Sequence, residues 1–467
     1  MSQTFLADRQ ERRQNGKTKR NQVPFESHAQ WEPAKDRPDP IKLLQEKDAG
    51  RLKFLLPIKY GRMVSSPFSF FRGSAALMAS DLANTPVSGI EAILCGDAHL
   101  SNFGIFASPE RSLIFDINDF DECYPGPWEW DLKRLVASVV VAGMDNRFKD
   151  KDNRKLAKVA VHTYRKAMNE FSQMPTLEVW YYHVNARKLL DFFEKHTKEG
   201  AKVADKAIKK ARLTQNEQTL KKLTNVVDGK RQFIYNPPLM VPLKKINKQK
   251  KYREEIKITE EGIREAWNEY LKSLPLERQM LLSRFKIVDG ALRVVGVGSV
   301  GTRCSVLLLE SGLKTDAIIL QQKEAGHSAL EPYLRQRNYA SQAQRVVIGQ
   351  RLMQATNDIF LGWSRSSVSF RQYYWRQLKD MKASINVKLL DPQGLATYIV
   401  ACSFCLAHAH ARTGDASGIS GYMGKGYEFD DALTEFALKY ADQNLRDYQA
   451  LKDAADSGRI ETKIEDK

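Results

Sequence analysis

VVGVGSVGTRCSVLLL (294–309) is the stretch that decides the fold. Glycines in the spacing G-x-G-x-x-G suit two phosphate-binding designs. In a dinucleotide-binding unit a helix follows the glycines; in a glycine flap a second strand does. Here Thr302 to Leu309 is mostly β-branched or apolar, and Ser311 and Gly312 then signal a turn. We therefore expect strand–glycines–strand, a flap in which the backbone amides of Gly296, Gly298 and Gly301 cover phosphates. The plain alternative is a glycine hairpin beside a surface lysine. Next, AIILQQKEA (317–325) reads as a strand with Lys323 near its end, where a phosphate-binding lysine belongs. A helix from Glu331 to Gln354 is expected to follow. Glu331 is the best partner for Lys323, with Glu324 as the alternative.

Working outward, the next signal is CGDAHLSN (95–102), after a short apolar strand from Ile90 to Cys95. Asp119 comes seventeen residues after Asn102, in DINDFDE (116–122), on a strand running from Leu113 to Phe120. Asp131 follows twelve residues later and opens a buried helix, WDLKRLVASVVVAGM (130–144). Phosphoryl transfer needs a carboxylate to orient the attacking group and oxygen ligands to hold magnesium on the phosphates. Magnesium is hard and keeps much of its water, so one or two protein ligands suffice. Asp97, Asn102 and Asp119 meet that requirement if the two strands pair.

This segment resembles the catalytic region of aminoglycoside- and choline-type small-molecule kinases. Those show a GD-x-H-x-x-N loop, a strand ending in Asp-Phe-Asp, and an Asp-Leu pair opening a later helix. The resemblance implies Asp97 as catalytic base and Asn102 and Asp119 as Mg ligands. Asp121 becomes a further ligand or substrate contact, and His99 and Asp131 brace the loop. Asp116 rivals Asp119, but the distance from Asp119 to Asp131 matches the pattern. ATP and Mg are the implied cofactors. The implied fold class is α+β, a protein-kinase-like two-lobed fold. In such kinases the flap and lysine precede the catalytic loop. Here they come about two hundred residues after it, so the fold would be circularly permuted, which surface termini permit. VSFRQYYWRQLKDMK (368–382) would then be the last small-lobe strand and the hinge facing adenine.

Longer stretches are similar to the bacterial domain-of-unknown-function family 2252: YGRM (60–63), SPFSFFRG (66–73), CGDAHL (95–100), PGPWEWDLKR (125–134), residues 295–303, QRVVIGQ (344–350) and YADQ (440–443). The likeness runs from about residue 25 to about residue 450. It implies no activity, so the functional expectation rests on the residues above. Arg72, in its aromatic setting, could reach phosphate or serve as a stacked structural arginine.

The chain divides into a basic, partly disordered arm (1–48), a helical lobe with the catalytic loop (49–280), a β-rich glycine-loop lobe with one helix (281–380), and helices returning to the large lobe (381–467). HAHARTGD (408–415) ends an apolar helix and lacks an Asn five residues after Asp415. In a permuted fold it would lie beside the real loop, with His410, Arg412 and Asp415 near phosphate or acceptor. The plain reading is a helix C-terminus with structural histidines.

Lys and Arg number 73 against 56 Asp and Glu, and the net charge of +17 favours an anionic partner without choosing one. No helix-turn-helix, zinc finger or aromatic ribonucleoprotein motif is found, so nucleic acid rests on charge alone. Five scattered cysteines do not form a disulfide framework and point to a reducing, cytoplasmic compartment. Cys402 and Cys405 lack the second pair a zinc site needs and read as buried helix residues. The charged first thirty residues predict no secretory signal. The lack of an uninterrupted run of about 18 apolar residues predicts no membrane span. The expected activity is an ATP- and Mg-dependent phosphotransferase acting on a nucleotide and an unknown small-molecule acceptor. The alternatives are a nucleotide-binding regulator or nucleotidyl transferase on the same scaffold, or a basic nucleic-acid-binding protein.

Overall fold

The strands on either side of the glycine turn pair as that reading requires. In the computed structural model, Lys286–Arg293 lies antiparallel to Cys304–Glu310, which pairs in turn with Ala317–Glu324. The structure describes residues 7–463 except 215, 247, 257–259, 295, 314–315, 367–369 and 379–380. The sheet has six strands in the order Gly362–Arg365, Gln372–Gln377, Ala317–Glu324, Cys304–Glu310, Lys286–Arg293, Met240–Pro242. It is buried on both faces, which is why its central strands are almost continuously apolar. Alternate side chains point to opposite faces. Leu307, Leu309, Ile318 and Leu320 meet Tyr270, Leu274 and Leu282 on one side. Val306, Leu308 and Ile319 meet Leu220, Leu223 and Phe233 on the other. Each such aliphatic side chain stabilises the fold by about 2 kcal/mol.

Residues on both sides of position 280 share this sheet. Segments around 220–233 and 263–282 pack on the sheet, because the sheet needs apolar cover on both faces. Three further expectations change. The helix expected from Glu331 begins only at Gln342, where the Ser341 hydroxyl caps it through Gln344 N–H; Glu331–Tyr333 is a single 3-10 turn. The strand Gly362–Arg365 was not anticipated. Of the strand and hinge expected over 368–382, the strand is Gln372–Gln377, and 367–369 lie outside the described residues.

The helical part is built around Trp128–Asp145, buried on nearly every side. Asp150–Gln173, Pro392–Thr413 and Glu428–Asp456 surround it in one continuous core. Pro392–Thr413 is, by length and composition, apolar enough to cross a membrane, but 78 % of its most apolar stretch is buried inside the fold. It contains Cys402 and Cys405, both buried and free as expected. The arm expected to be partly disordered is helical over Arg9–Gln22, Phe25–Ala29 and Pro40–Lys47. The first of these packs on Ala416–Met423 through three glycines, Gly16, Gly418 and Gly421, which allow the two backbones to touch. Together the strands and helices make a mixed α+β protein.

Candidate functional site

The strand Glu91–Leu94 pairs with Tyr124–Pro127 and delivers the chain to Gly96. Gly96 has a φ of +80°, and a Cβ there would overlap the Glu122 carbonyl, so only glycine fits. Asp131, in the first turn of the core helix, accepts the amides of Cys95 at 2.7 Å and Gly96 at 3.0 Å. His410 Nε2 lies 3.3 Å from Asp131, and the other His410 nitrogen meets the Tyr164 hydroxyl at 2.7 Å. Asp131 is therefore the brace expected of it, and His410 braces the brace. His410, Arg412 and Asp415 do not line the cavities described below. Arg412 sits over Trp180, and Asp415 pairs with Arg12 at 2.8 Å.

The next two strands, Phe103–Ala107 and Leu113–Ile117, form an antiparallel hairpin. Their ends are tied by Asn102, whose amide donates to the Asp97 carbonyl at 3.1 Å and the Asp119 carbonyl at 3.0 Å. Its side-chain oxygen accepts Asp119 N–H at 2.7 Å. Asn102 thus joins the two acidic loops, and its oxygen has a second lone pair left for a metal.

Lys323, at the end of its strand, crosses to these loops. Its ammonium lies 3.1 Å from Asp121 and 3.7 Å from Asp119. Asp121 also accepts the Tyr374 hydroxyl at 2.5 Å and the Ser299 hydroxyl of the glycine loop at 3.3 Å. Burial works to strip the Lys323 proton, but the two carboxylates outweigh it and raise its pKa. Burial likewise pushes Asp121 up, yet Lys323 and the Tyr374 hydroxyl hold it below the usual carboxylate value. Asp119 goes the other way, raised by burial and by the neighbouring Asp121. One Asp119 oxygen has no hydrogen-bond partner.

Glu331 does not pair with Lys323. It binds the His327 ring at 2.6 Å and the Ser328 amide at 3.0 Å. The late start of the helix leaves Glu331 in a 3-10 turn, where it also approaches Arg345 at 3.6 Å, while Asp119 and Asp121 supply the counter-charge. The alternative, Glu324, is taken by Arg303 at 3.3 Å and by Arg371. Asp116 is buried in its strand, its pKa pushed up to about 7 by burial, and lines neither cavity.

The glycine loop is clamped from behind. Arg51 donates to the carbonyls of Gly298 at 2.7 Å and Val300 at 2.5 Å, and Arg62 donates to that of Gly296. Gly296 and Gly301 have φ of +68° and +91°. Gly298 has neither a positive φ nor a packed neighbour, since a Cβ would come no closer than 3.7 Å to anything but its chain neighbours. Local structure does not require glycine there.

Two adjoining cavities open at this point. The larger, about 570 Å³, is lined by Arg72, Asp97, His99, Asn102 and Asp121 beneath Gly296 and Gly298. The second, about 540 Å³, is lined by Lys323, Gln321, Arg293 and Gln377. They share Asp119, Ser299, Arg376 and Lys382. Asp97 is ion-paired with Arg134 at 2.7 Å; burial raises its pKa, against the pull of Arg134 and Arg72. His99 Nε2 is 3.6 Å from Asp97, beyond hydrogen-bond reach, and burial keeps the ring neutral. Arg134, Tyr374, Arg376 and Lys382 were not anticipated as site residues. Arg134 stands three residues after Asp131, on the same face of one helix, which was the available signal. Nothing local marks the others. Among the described residues no cluster of three or more His, Cys, Asp or Glu is placed to hold a metal.

The family model described as uncharacterized protein conserved in bacteria (DUF2252) matches residues 51–454. The chain belongs to that family. No curated protein and no solved structure matches it.

Proposed function

We propose that this member of the family is a kinase-like phosphotransferase that moves the γ-phosphoryl group of ATP to a small-molecule hydroxyl. One observation carries the reading: Lys323 and the Gly296–Gly301 loop meet Asp119 and Asp121 where two cavities adjoin, from a segment about two hundred residues away. The glycine loop joins two antiparallel strands, Lys286–Arg293 and Cys304–Glu310, the lysine stands near the end of the next, Ala317–Glu324, and a helix follows. That is the order of a kinase small lobe, and it supports a permuted two-lobed fold. The departure is the helix Gln342–Met353, which contributes no glutamate to the lysine.

Magnesium suits the residues present. It would neutralise charge on the β- and γ-phosphate oxygens while keeping water and phosphate among its ligands. The unpartnered Asp119 oxygen and the second lone pair of Asn102 would hold it, with Asp121 alongside. Lys323 would exchange part of its contact with Asp121 for phosphate, and the amides around Gly298 would cover the phosphates. Both Arg134 contacts fall on one oxygen of Asp97. The other is left to take the proton of the acceptor hydroxyl as its oxygen bonds to the γ-phosphorus and the bond to the bridging oxygen of ADP breaks. Five free, buried cysteines support a cytoplasmic setting.

Thermal unfolding with Mg-ATP tests this. A ligand bound to the folded state raises the midpoint by mass action. The native chain should show the rise and Asp119→Ala should lose it. No rise in the native chain refutes the nucleotide reading. A rise without turnover of labelled ATP across an acceptor panel identifies the non-catalytic regulator instead.

A further inference from the structure

The two cavities divide the chemistry between them. The larger is lined by Asp97 and not by Lys323; the smaller by Lys323 and not by Asp97. They meet at Asp119, Ser299 and Arg376. A nucleotide anchored by Lys323, with its terminal phosphate at Asp119, fills the smaller cavity and the junction. Gly298, Asn102 and Asp121 line the larger and serve the phosphates and metal from there, and its remaining space beside Asp97 and Arg72 is left to the acceptor.

Charge in the larger cavity shows what kind of acceptor fits. Most of its cations are already matched. Arg51 and Lys59 share Asp48, Arg371 pairs with Glu324, and Lys47 approaches Glu122 at 4.0 Å. Asp97 is itself neutralised by Arg134 at 2.7 Å. Arg72, Arg376 and Lys382 are not matched; Arg376 and Lys382 also line the smaller cavity, whereas Arg72 lines only the larger. It forms no ion pair among the described residues, its buried Nε has no hydrogen-bond partner, and burial lowers its pKa despite the nearby Asp97. His99, the adjacent ring, is neutral and leaves its buried Nδ1 without a partner. A desolvated guanidinium kept without a counter-ion is costly unless a ligand supplies one.

We propose that the acceptor is a small hydroxyl compound bearing a phosphate or carboxylate group, which Arg72 receives while the hydroxyl lies against Asp97. This rests on the phosphotransferase reading. The same guanidinium could instead meet the γ-phosphate of ATP, so the test separates the two sources.

The experiment follows the thermal midpoint of the full chain saturated with Mg-ADP, then adds glycerol 3-phosphate, glycerol or choline. Glycerol 3-phosphate should raise the midpoint further, and the neutral and cationic probes should not. Calorimetric titration of Arg72→Gln should show glycerol 3-phosphate binding weakened about tenfold or more, as expected for a lost charged hydrogen bond, with the Mg-ADP rise retained. A rise with choline in place of glycerol 3-phosphate overturns the proposal, and needs only the native chain should the variant fail to fold. So does an Arg72→Gln chain that keeps glycerol 3-phosphate binding but loses the extra rise given by a non-hydrolysable ATP analogue over ADP. If Mg-ADP and the analogue give no rise, the nucleotide reading falls. An Arg72-dependent response to glycerol 3-phosphate alone would then preserve the anion site, and its absence would remove both.

Discussion

Replacing Lys323 by methionine removes the one cation that stands between two carboxylates. At 3.1 Å and an effective dielectric of about 20, the attraction to Asp121 is about 5 kcal/mol. Taking the ammonium out of water offsets much of that. Breaking a fully buried pair by removing one partner costs about 3–5 kcal/mol. Asp121 keeps 31 % of its side chain open and Asp119 46 %, so solvent screens part of the effect, and about 2–4 kcal/mol is expected for Lys323→Met. The pH dependence gives the mechanism its own signature. In the native chain Asp121 titrates low, so its stabilisation is present above the unfolded value of about 3.9 and is lost only as pH falls through the lower folded value. Without Lys323, burial and mutual repulsion raise both carboxylates. The variant then gains stability relative to the native chain as pH falls from 7.5 to 5. Urea unfolding followed by tryptophan fluorescence at those two pH values measures the gap. A gap below about 1 kcal/mol, or one that does not narrow at pH 5, would show that Lys323 does not neutralise this pair and would remove the contact on which the site is built.

Gly298→Ala should fold with little loss, since the added methyl meets nothing within 3.7 Å, but should weaken the Mg-ATP response; Gly301→Ala should cost about 1–2 kcal/mol in urea because its φ is +91°. Equal stability losses in the two variants would contradict the distinction. Lys382 has its pKa lowered to about 7 by burial, with Arg376 adding to the effect. Its charge is lost in the folded state as pH rises through 7, so calorimetric Mg-ATP affinity should fall between pH 6 and 8, and Lys382→Arg should flatten that slope. Because the folded value lies below the unfolded value of about 10.4, the native chain should also gain stability from this group between about pH 7 and 10.

Much of the site could be read locally. The CGDAHLSN loop, Asp119 and Asp121 all carry their spacing within a short stretch, and strands on both sides of the glycine turn announce themselves by apolar run and turn residues. The misses share one cause. Glu331 sits in the right order for a lysine partner, but order does not say where a helix begins, and Ser341 starts it ten residues later. Tyr374 meets Asp121 and Arg376 lines both cavities only because Gln372–Gln377 pairs beside Ala317–Glu324, placing Tyr374 opposite Lys323, and Lys382 follows a few residues on. The arm was misread because its composition is polar, while its anchoring depends on glycines in two helices some four hundred residues apart.

The sequence by itself determined the local parts: which turn is glycine-rich, which strand carries the lysine, which loops are acidic, and that Asp131 opens the helix behind them. These follow from backbone freedom and hydrophobic period, properties of neighbouring residues. Tertiary structure alone decided which carboxylates neutralise Lys323, that Asn102 ties the acidic loops together, and that Arg72 stands in the cavity near Asp97 with no ion pair among the described residues. Electrostatic partnership depends on distance through space, and residues 97–121 and 296–323 are brought within about 4 Å only by the packing of the whole chain.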